Sequence, residues 1–187
     1  ILRMIIKNRT IQAENGKELK RIADGMRFGS SLTLGYTYYL GGKKLDEPLL
    51  ELPEHYEEVE SIDSIRERVN NNIIAYDVSD NVNAFLFNGN KVWLDKATRV
   101  GLVNSTNLSL QSGIKTTTLW LGGQSYTLPC EVVLEALRKV ELYALECYNV
   151  TEQHKQEVAN LYGEDELLNY DVTKDYPKMV EIGGANE

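Results

Sequence analysis

The strongest constraint on the fold of this chain is a long amphipathic helix, predicted from about Pro129 to Tyr162. Small or apolar residues recur there at alternating intervals of four and three, the spacing of side chains on one face of an α-helix. This stripe consists of Val133, Leu137, Val140, Ala144, Cys147, Thr151, His154, Val158 and Leu161. Leu134, Leu145 and Tyr148 are predicted to widen it. Such a face must be buried, so the helix packs across a sheet, against another helix or against a copy of itself. The residues leave these alternatives open.

Both ends of this helix carry suitable residues. Pro129 suits the first helical position, because its missing N–H would have no partner in the helix there. Gly163 suits the end, because glycine tolerates positive φ. Cys130 and Cys147 then share one helix at a separation of about 25 Å, which is too far for a disulfide. Both cysteines are therefore predicted to be small buried apolar residues.

The composition is that of a globular protein with a real core. The chain has 187 residues, 42% of them hydrophobic, which suffices for one domain or for one domain with a small appended module. Its formal net charge is −8, so no broad cationic surface is expected, and neither nucleic acid nor membrane is predicted as a partner. No run approaches the roughly 20 apolar residues that a membrane-spanning helix needs.

Residues 1–45 are predicted to form a small, mostly β module. Leu2 to Lys7 and Thr10 to Glu14 are typical of a hairpin, and Gly16 to Asp24 has a brief helical pattern. Ser31 to Leu40 is predicted to be a strand, followed by a tight turn at Gly41-Gly42. The strand also contains a tyrosine cluster, which either packs on a half-exposed sheet or contacts a partner or glycan. The cluster consists of Tyr36, Tyr38 and Tyr39.

An acidic segment with two prolines, residues 46–60, is predicted to be a linker. Pro48 and Pro53 interrupt regular structure, and the like charges of the Asp and Glu residues extend the chain. His55 is expected to be a solvated loop residue, because no second His or Cys lies nearby at the spacing of metal ligands.

The α+β domain predicted over residues 61–182 repeats one hairpin-helix pattern. A helix over Ser61 to Ala75 leads into it, and residues 183–187 are predicted to be a loose tail. The hairpins turn at Asn88-Gly89 and Gly122-Gly123, where positive φ is needed at both positions. The order hairpin, helix, hairpin, helix predicts a two-layer domain, with a sheet of up to four strands covered by two helices on one face.

Single residues of this domain have predicted roles. Asp95 is predicted to cap the helix after the first hairpin, which runs to about Ser112, by accepting its free N–H groups. Trp93 and Trp120, one in each hairpin, are predicted to anchor the core, with an interface as the alternative. Beyond the long helix, residues 164–169 are predicted to form another turn or two. Tyr170 to Val180 then runs extended, since Pro177 forbids a helix.

Several short runs between Ala75 and Ile182 carry a family resemblance. They are Ala75 to Asn83, Asn88-Gly89, Trp93 to Val100, Thr117 to Trp120, Glu141 to Thr151, His154, Tyr170-Asp171 and Tyr176-Pro177. Through them the chain resembles an uncharacterised family, a domain of unknown function that occurs in phage and prophage tail gene clusters. Asp175 stands where family members have Gly, a departure that concerns only the turn there. Residues 1–60 resemble, more weakly, the leaders that accompany this domain.

The resemblance implies a virion or tail-associated structural or assembly protein of a phage or prophage, acting through protein–protein contacts. Its partners would be other tail or virion proteins and a second copy of itself. It would be made in the cytoplasm of a host bacterium and assembled into the virion. A non-enzymatic glycan- or protein-binding module of a tail is the alternative. The expected anchors of an interface or of the core are Trp93, Trp120, Leu137, Val140, Tyr143, Cys147 and His154.

An enzyme, such as a cell-wall hydrolase, is the less favoured interpretation. Glycan hydrolysis needs two carboxylates at a set separation, and no signature residues single out such a pair. Cys147 and His154 lie about 10 Å apart along the predicted helix, too far for the hydrogen bond that activates a thiolate. The resemblance transfers no catalytic residues, because the family has none established. The sequence therefore predicts no catalytic residue, no metal and no cofactor.

Overall fold

The computed structural model describes residues 5–7, 10–33, 39–40, 43–44 and 55–183. Helices and strands are mixed along the chain, so the fold is α+β, as predicted. The chain divides into two compact units. Unit 1 consists of Ile1–Val69 and Leu161–Asn169, and unit 2 of Asn70–Asn160 and Tyr170–Glu187. The division therefore falls inside the lead-in helix, α1 (Ile62–Asp77), and not in the acidic segment.

Unit 1 is built mainly from short antiparallel strands. They are β1 (Ile5–Lys7), β2 (Thr10–Gln12), β3 (Lys17–Arg21), β4 (Ser31–Thr33), β5 (Tyr39–Leu40), β6 (Lys43–Lys44) and β7 (Tyr56–Glu60). β1, β2 and β4 form one sheet, β3 pairs with β7, and β5 pairs with β6. The predicted first hairpin is confirmed. Tyr36, Tyr38 and the turn at Gly41-Gly42 lie outside the described residues, and the tyrosine cluster stays a prediction.

Two predictions for unit 1 are wrong. Gly16 to Asp24 is not a helix, because Lys17–Arg21 forms β3 and pairs over its whole length with β7. The acidic segment is a strand over Tyr56–Glu60 rather than a linker, whereas residues 46–54 lie outside the described part. Burial explains both differences: Leu19 and Tyr56 belong to one core cluster, and the packing of these side chains outweighs local propensity.

The long helix ends before the predicted glycine. α3 (Cys130–Ala159) is preceded by Pro129 and ends with Asn160 as its C-cap. Gly163 has φ −82° and begins α4 (Glu164–Leu168), so the prediction of positive φ at this glycine is wrong. The predicted short helix over residues 164–169 is confirmed.

Unit 2 contains the two predicted hairpins and their helices. Its further elements are β8 (Ala84–Phe87), β9 (Asn90–Trp93), α2 (Lys96–Gln111), β10 (Thr116–Leu121), β11 (Gln124–Pro129) and β12 (Glu181–Ile182). Both hairpin turns have positive φ at both central residues: 49° and 75° at Asn88-Gly89, and 56° and 81° at Gly122-Gly123. The turn geometry is confirmed, and only residues that tolerate positive φ fit there.

The hairpins do not join into the predicted four-stranded sheet. β8 pairs with β9 on one side and, in parallel, with β12 on the other, while β10 and β11 form a separate two-stranded sheet. The hairpins instead share a hydrophobic core beneath α3. Its buried members are Phe85, Phe87, Val92, Leu119, Leu121, Val133, Leu137 and Val140. A common core therefore holds the hairpins together without backbone pairing between them.

The buried face of α3 follows the predicted stripe. Every stripe residue from Val133 to Val158 is buried, whereas Leu161 lies beyond the end of the helix. Leu145 and Tyr148 are 53% and 57% exposed, so the prediction that they widen the stripe is wrong. The same chain covers the stripe, which decides between the packing alternatives in favour of internal packing. Cys130 and Cys147 are buried and free, as predicted.

Candidate functional site

Both tryptophans lie on the outer faces of their hairpins. Trp93 is 45% exposed and Trp120 is 70% exposed, so the prediction that they anchor the core is wrong. The physical reason is strand alternation, since Val92 next to Trp93 and Leu119 next to Trp120 fill the core side. Interface contact, the alternative for both residues, stays a prediction.

Trp93 forms part of a cleft of about 530 Å³, here called the Trp93 cleft. The apolar residues that line it are Val78, Trp93, Ala144, Leu145 and Tyr148. The polar residues that line it are Asp77, Asn83, Asp95, Lys96, Arg99 and Glu141. The volume lies in the range of ligand sites, about 300–1,000 Å³. The end of α1, the start of α2 and the middle of α3 thus converge on one concave surface.

Arg99 is a lining residue of the Trp93 cleft whose guanidinium is held in place. Its side chain is only 7% exposed, and Nε lies 2.6 Å from Oε1 of Glu141. Nη1 donates to the carbonyl oxygen of Leu94 at 2.6 Å. Nη2 has no hydrogen-bond partner among the described residues. Two of the three nitrogens thus hold the guanidinium in place, and the third is left for a ligand atom.

The aspartates of the cleft are also held in place. The carboxylate of Asp95 accepts from the backbone N–H of Thr98 at 2.9 Å and from its hydroxyl at 2.6 Å, which confirms the predicted cap. These hydrogen bonds lower the pKa of Asp95, so it stays ionised and cannot serve as a general acid near neutral pH. Asp77 accepts a hydrogen bond from the hydroxyl of Thr151 at 2.7 Å. Both carboxylates keep free lone pairs for a ligand.

The aromatic side chains of the cleft have no such partners. Trp93 and Tyr148 make no ring contact and no side-chain hydrogen bond within the described part of the chain. Val78 and Leu145 beside them are 64% and 53% exposed. The lining of the cleft therefore combines exposed apolar side chains with polar groups that intramolecular hydrogen bonds hold in place, a combination that ligand sites commonly show.

His154, by contrast, is an internal residue and not an interface residue. It is 2% exposed, with Nδ1 2.7 Å from the hydroxyl of Tyr170 and Nε2 3.0 Å from the carbonyl oxygen of Lys174. Tyr170 donates to Glu157 at 2.7 Å. The expected role at a surface between copies is wrong, because residues of the same chain cover this end of the stripe. Sequence reasoning missed Tyr170 and Lys174 as the partners of His154, and Glu157 as the acceptor of the Tyr170 hydroxyl.

The remaining predicted anchors are core residues. Leu137 and Val140 are buried in the core beneath α3, and Tyr143 and Cys147 form a second cluster with Val82. Burial raises the pKa of Cys147, and both ring nitrogens of His154 have other partners, so the two do not form a nucleophile-base pair.

Sequence reasoning also missed most of the Trp93 cleft, although one signal pointed to it. Every lining residue lies in one of three of the short runs named in the sequence analysis: Ala75 to Asn83, Trp93 to Val100, and Glu141 to Thr151. The cleft is where these separated runs meet.

Neither a metal centre nor a membrane span emerges from the described residues. Within these ranges, no three His, Cys, Asp or Glu side chains come together as a group that could hold a metal ion. None of the helices described combines the length and apolar character that crossing a bilayer requires.

Comparison with family models, curated proteins and solved structures finds no match for this chain.

Proposed function

We propose that this chain is a structural or assembly protein of a phage or prophage tail, and that it acts by contacting other tail proteins and a second copy of itself. The observation that carries the proposal is the exposed indole of Trp120, which has no partner within the described residues. Tryptophan is enriched among the residues that dominate protein interfaces. The resemblance to a tail-cluster family supports the same role.

The hairpin that carries Trp120 suits protein contact. Its outer face carries small polar residues beside Trp120, and the hydroxyls of Thr118 and Thr127 lie 2.9 Å apart across the strands. β10 and β11 pair only with each other among the described strands, so each has an edge on which another chain can add a strand. An indole beside open strand edges combines an apolar anchor with backbone hydrogen bonds.

Purified particles test this proposal. Virions from a host that carries the gene are banded in a density gradient, and the chain is quantified in them by mass spectrometry. We expect a fixed number of copies of the wild-type chain per particle. The Trp120→Ala chain should be present in far fewer copies per particle. Trp93→Ala is the matched control, since it removes the exposed tryptophan of the other hairpin and should be incorporated normally.

Two outcomes would contradict the proposal. One is particles that lack the chain and assemble normally when its gene is deleted. The other is Trp120→Ala incorporation at the wild-type level, which would exclude this hairpin face as the contact surface. The proposal requires no catalytic residue, metal or cofactor.

A further inference from the structure

The Trp93 cleft offers aromatic faces to a ligand. Trp93 and Tyr148 are both about half exposed, and neither stacks on another ring of the described chain. The face of an aromatic ring carries partial negative charge and attracts the weakly positive C–H groups of a stacked partner. One face of a sugar ring consists of such C–H groups, whereas its hydroxyls lie around the edge. The exposed faces of these rings therefore suit a pyranose lying flat.

The polar lining of the cleft supplies hydrogen bonds for hydroxyl groups. Nη2 of Arg99 is a free donor, and the carboxylates of Asp77 and Asp95 keep free lone pairs after binding Thr151 and Thr98. A hydroxyl both donates and accepts, so adjacent hydroxyls can bond to a donor and an acceptor together. Because intramolecular bonds already fix these groups, little side-chain entropy is lost on binding.

The charges that line the cleft are of both signs, so neither an anion nor a cation meets a uniformly attractive surface. Arg99 and Glu141 neutralise each other in their ion pair, which leaves Asp77, Asp95 and Lys96 around the opening. A phosphate or an acidic peptide would meet two carboxylates. A basic peptide would meet the ammonium of Lys96. A neutral ligand with many hydroxyls meets no such opposition.

The aliphatic side chains of the cleft specify the sugar further. Val78 and Leu145 are both more than half exposed next to the aromatic pair, and no hydroxyl would gain from contact with them. An acetamido group presents a methyl that such side chains can cover, and an amide for the polar groups. We infer that the Trp93 cleft binds an N-acetylated saccharide, with a sugar ring against Trp93 and Tyr148 and the acetyl methyl against Val78 and Leu145. This site is independent of the tail role proposed above.

The full chain is titrated with N,N′,N″-triacetylchitotriose as the probe. The chain has two tryptophans, so Trp120→Phe leaves Trp93 as the only indole, and its fluorescence reports on the cleft directly. We expect a saturable change in the fluorescence of Trp93, with a Kd of about 1 mM or tighter. Cellotriose, which has the same β-1,4-linked backbone with a hydroxyl in place of each acetamido group, should bind several-fold more weakly.

Variants measured by calorimetry locate the site. Trp93→Ala should weaken binding about tenfold or more, as truncation of an aromatic anchor commonly does, and Trp93→Phe should restore part of it. Tyr148→Ala is the second variant, because a side chain this exposed can be removed without unfolding the chain. Trp120→Ala is the matched control and should bind as the wild type does.

The inference is overturned if neither saccharide gives saturable binding to the wild-type chain. It is equally overturned if Trp93→Ala and Tyr148→Ala, both folded by circular dichroism, bind as tightly as the wild type. Equal affinity for cellotriose would show that the acetyl group does not contribute to binding, and would overturn the inference that the saccharide is N-acetylated. Saturation by a peptide containing Lys and Phe, without any saccharide binding, would make the cleft a peptide site instead.

Discussion

The buried position of His154 leads to a sharp prediction for His154→Asp. The substitution places a carboxylate where the side chain is 2% exposed, close to the carboxylate of Glu157 and the carbonyl oxygen of Lys174. An uncompensated buried charge costs about 3–5 kcal/mol, out of a total stability of about 5–15 kcal/mol for a typical domain. At a denaturant slope of about 2 kcal/mol per molar urea, the unfolding midpoint should fall by roughly 2 M.

Urea denaturation followed by far-UV circular dichroism measures the unfolding midpoint. Light scattering measures the molar mass of the protein in solution. The matched control is Leu142→Asp, which places the same carboxylate on the same helix where the side chain is 57% exposed, and which should change stability by less than about 0.5 kcal/mol. We expect His154→Asp to lose stability and keep its mass. A variant with the wild-type midpoint and a reduced mass would refute the reasoning, because His154 would then lie between two copies.

Three further predictions follow from the packing of unit 2. Leu137→Ala should destabilise the chain by about 2–5 kcal/mol in the same urea assay, because Leu137 is 4% exposed in the core beneath α3. Arg99→Met should lower the free energy of unfolding by about 1–3 kcal/mol in a thermal melt, since Glu141 and a backbone carbonyl lose their charged donor. Hydrogen bonds from Lys174, Gln153 and Tyr170 lower the pKa of Glu157 from 4.5 to about 2. The stability that Glu157 contributes is therefore complete above about pH 4.5 and lost as the pH falls towards 2. In unfolding measured at successive pH values, Lys174→Met should reduce this acid-side loss, and an unchanged profile would exclude Lys174 as its main cause.

Features set by near neighbours in the chain could be predicted from the sequence. The stripe of α3 needs only the helical period, the turn at Asn88-Gly89 needs only residues that tolerate positive φ, and the cap needs only Asp95 ahead of a helix. Each of these features is present in the structure.

Features set by distant partners could not be predicted in this way. Lys17–Arg21 has a helical composition, yet it becomes a strand because β7 lies beside it. A short strand does not reveal which of its faces will be buried, and this led to the wrong placement of Trp93. The cover of His154 comes from residues 170–174, whose approach no local pattern encodes. The Trp93 cleft escaped prediction for the same reason, since its residues come from distant segments.

The parallel pairing of β12 with β8 has a consequence for how the chain is synthesised. Leu86 pairs with Glu181, so the ribosome must add about 95 residues between the two partners. At about 5–20 residues per second, the edge of β8 stays without its partner for roughly 5 to 20 seconds. During that time its free N–H and C=O groups can pair with a neighbouring nascent chain. Slower translation, or many ribosomes on one message, should therefore increase aggregation of this protein, and a chaperone that shields extended segments should reduce it.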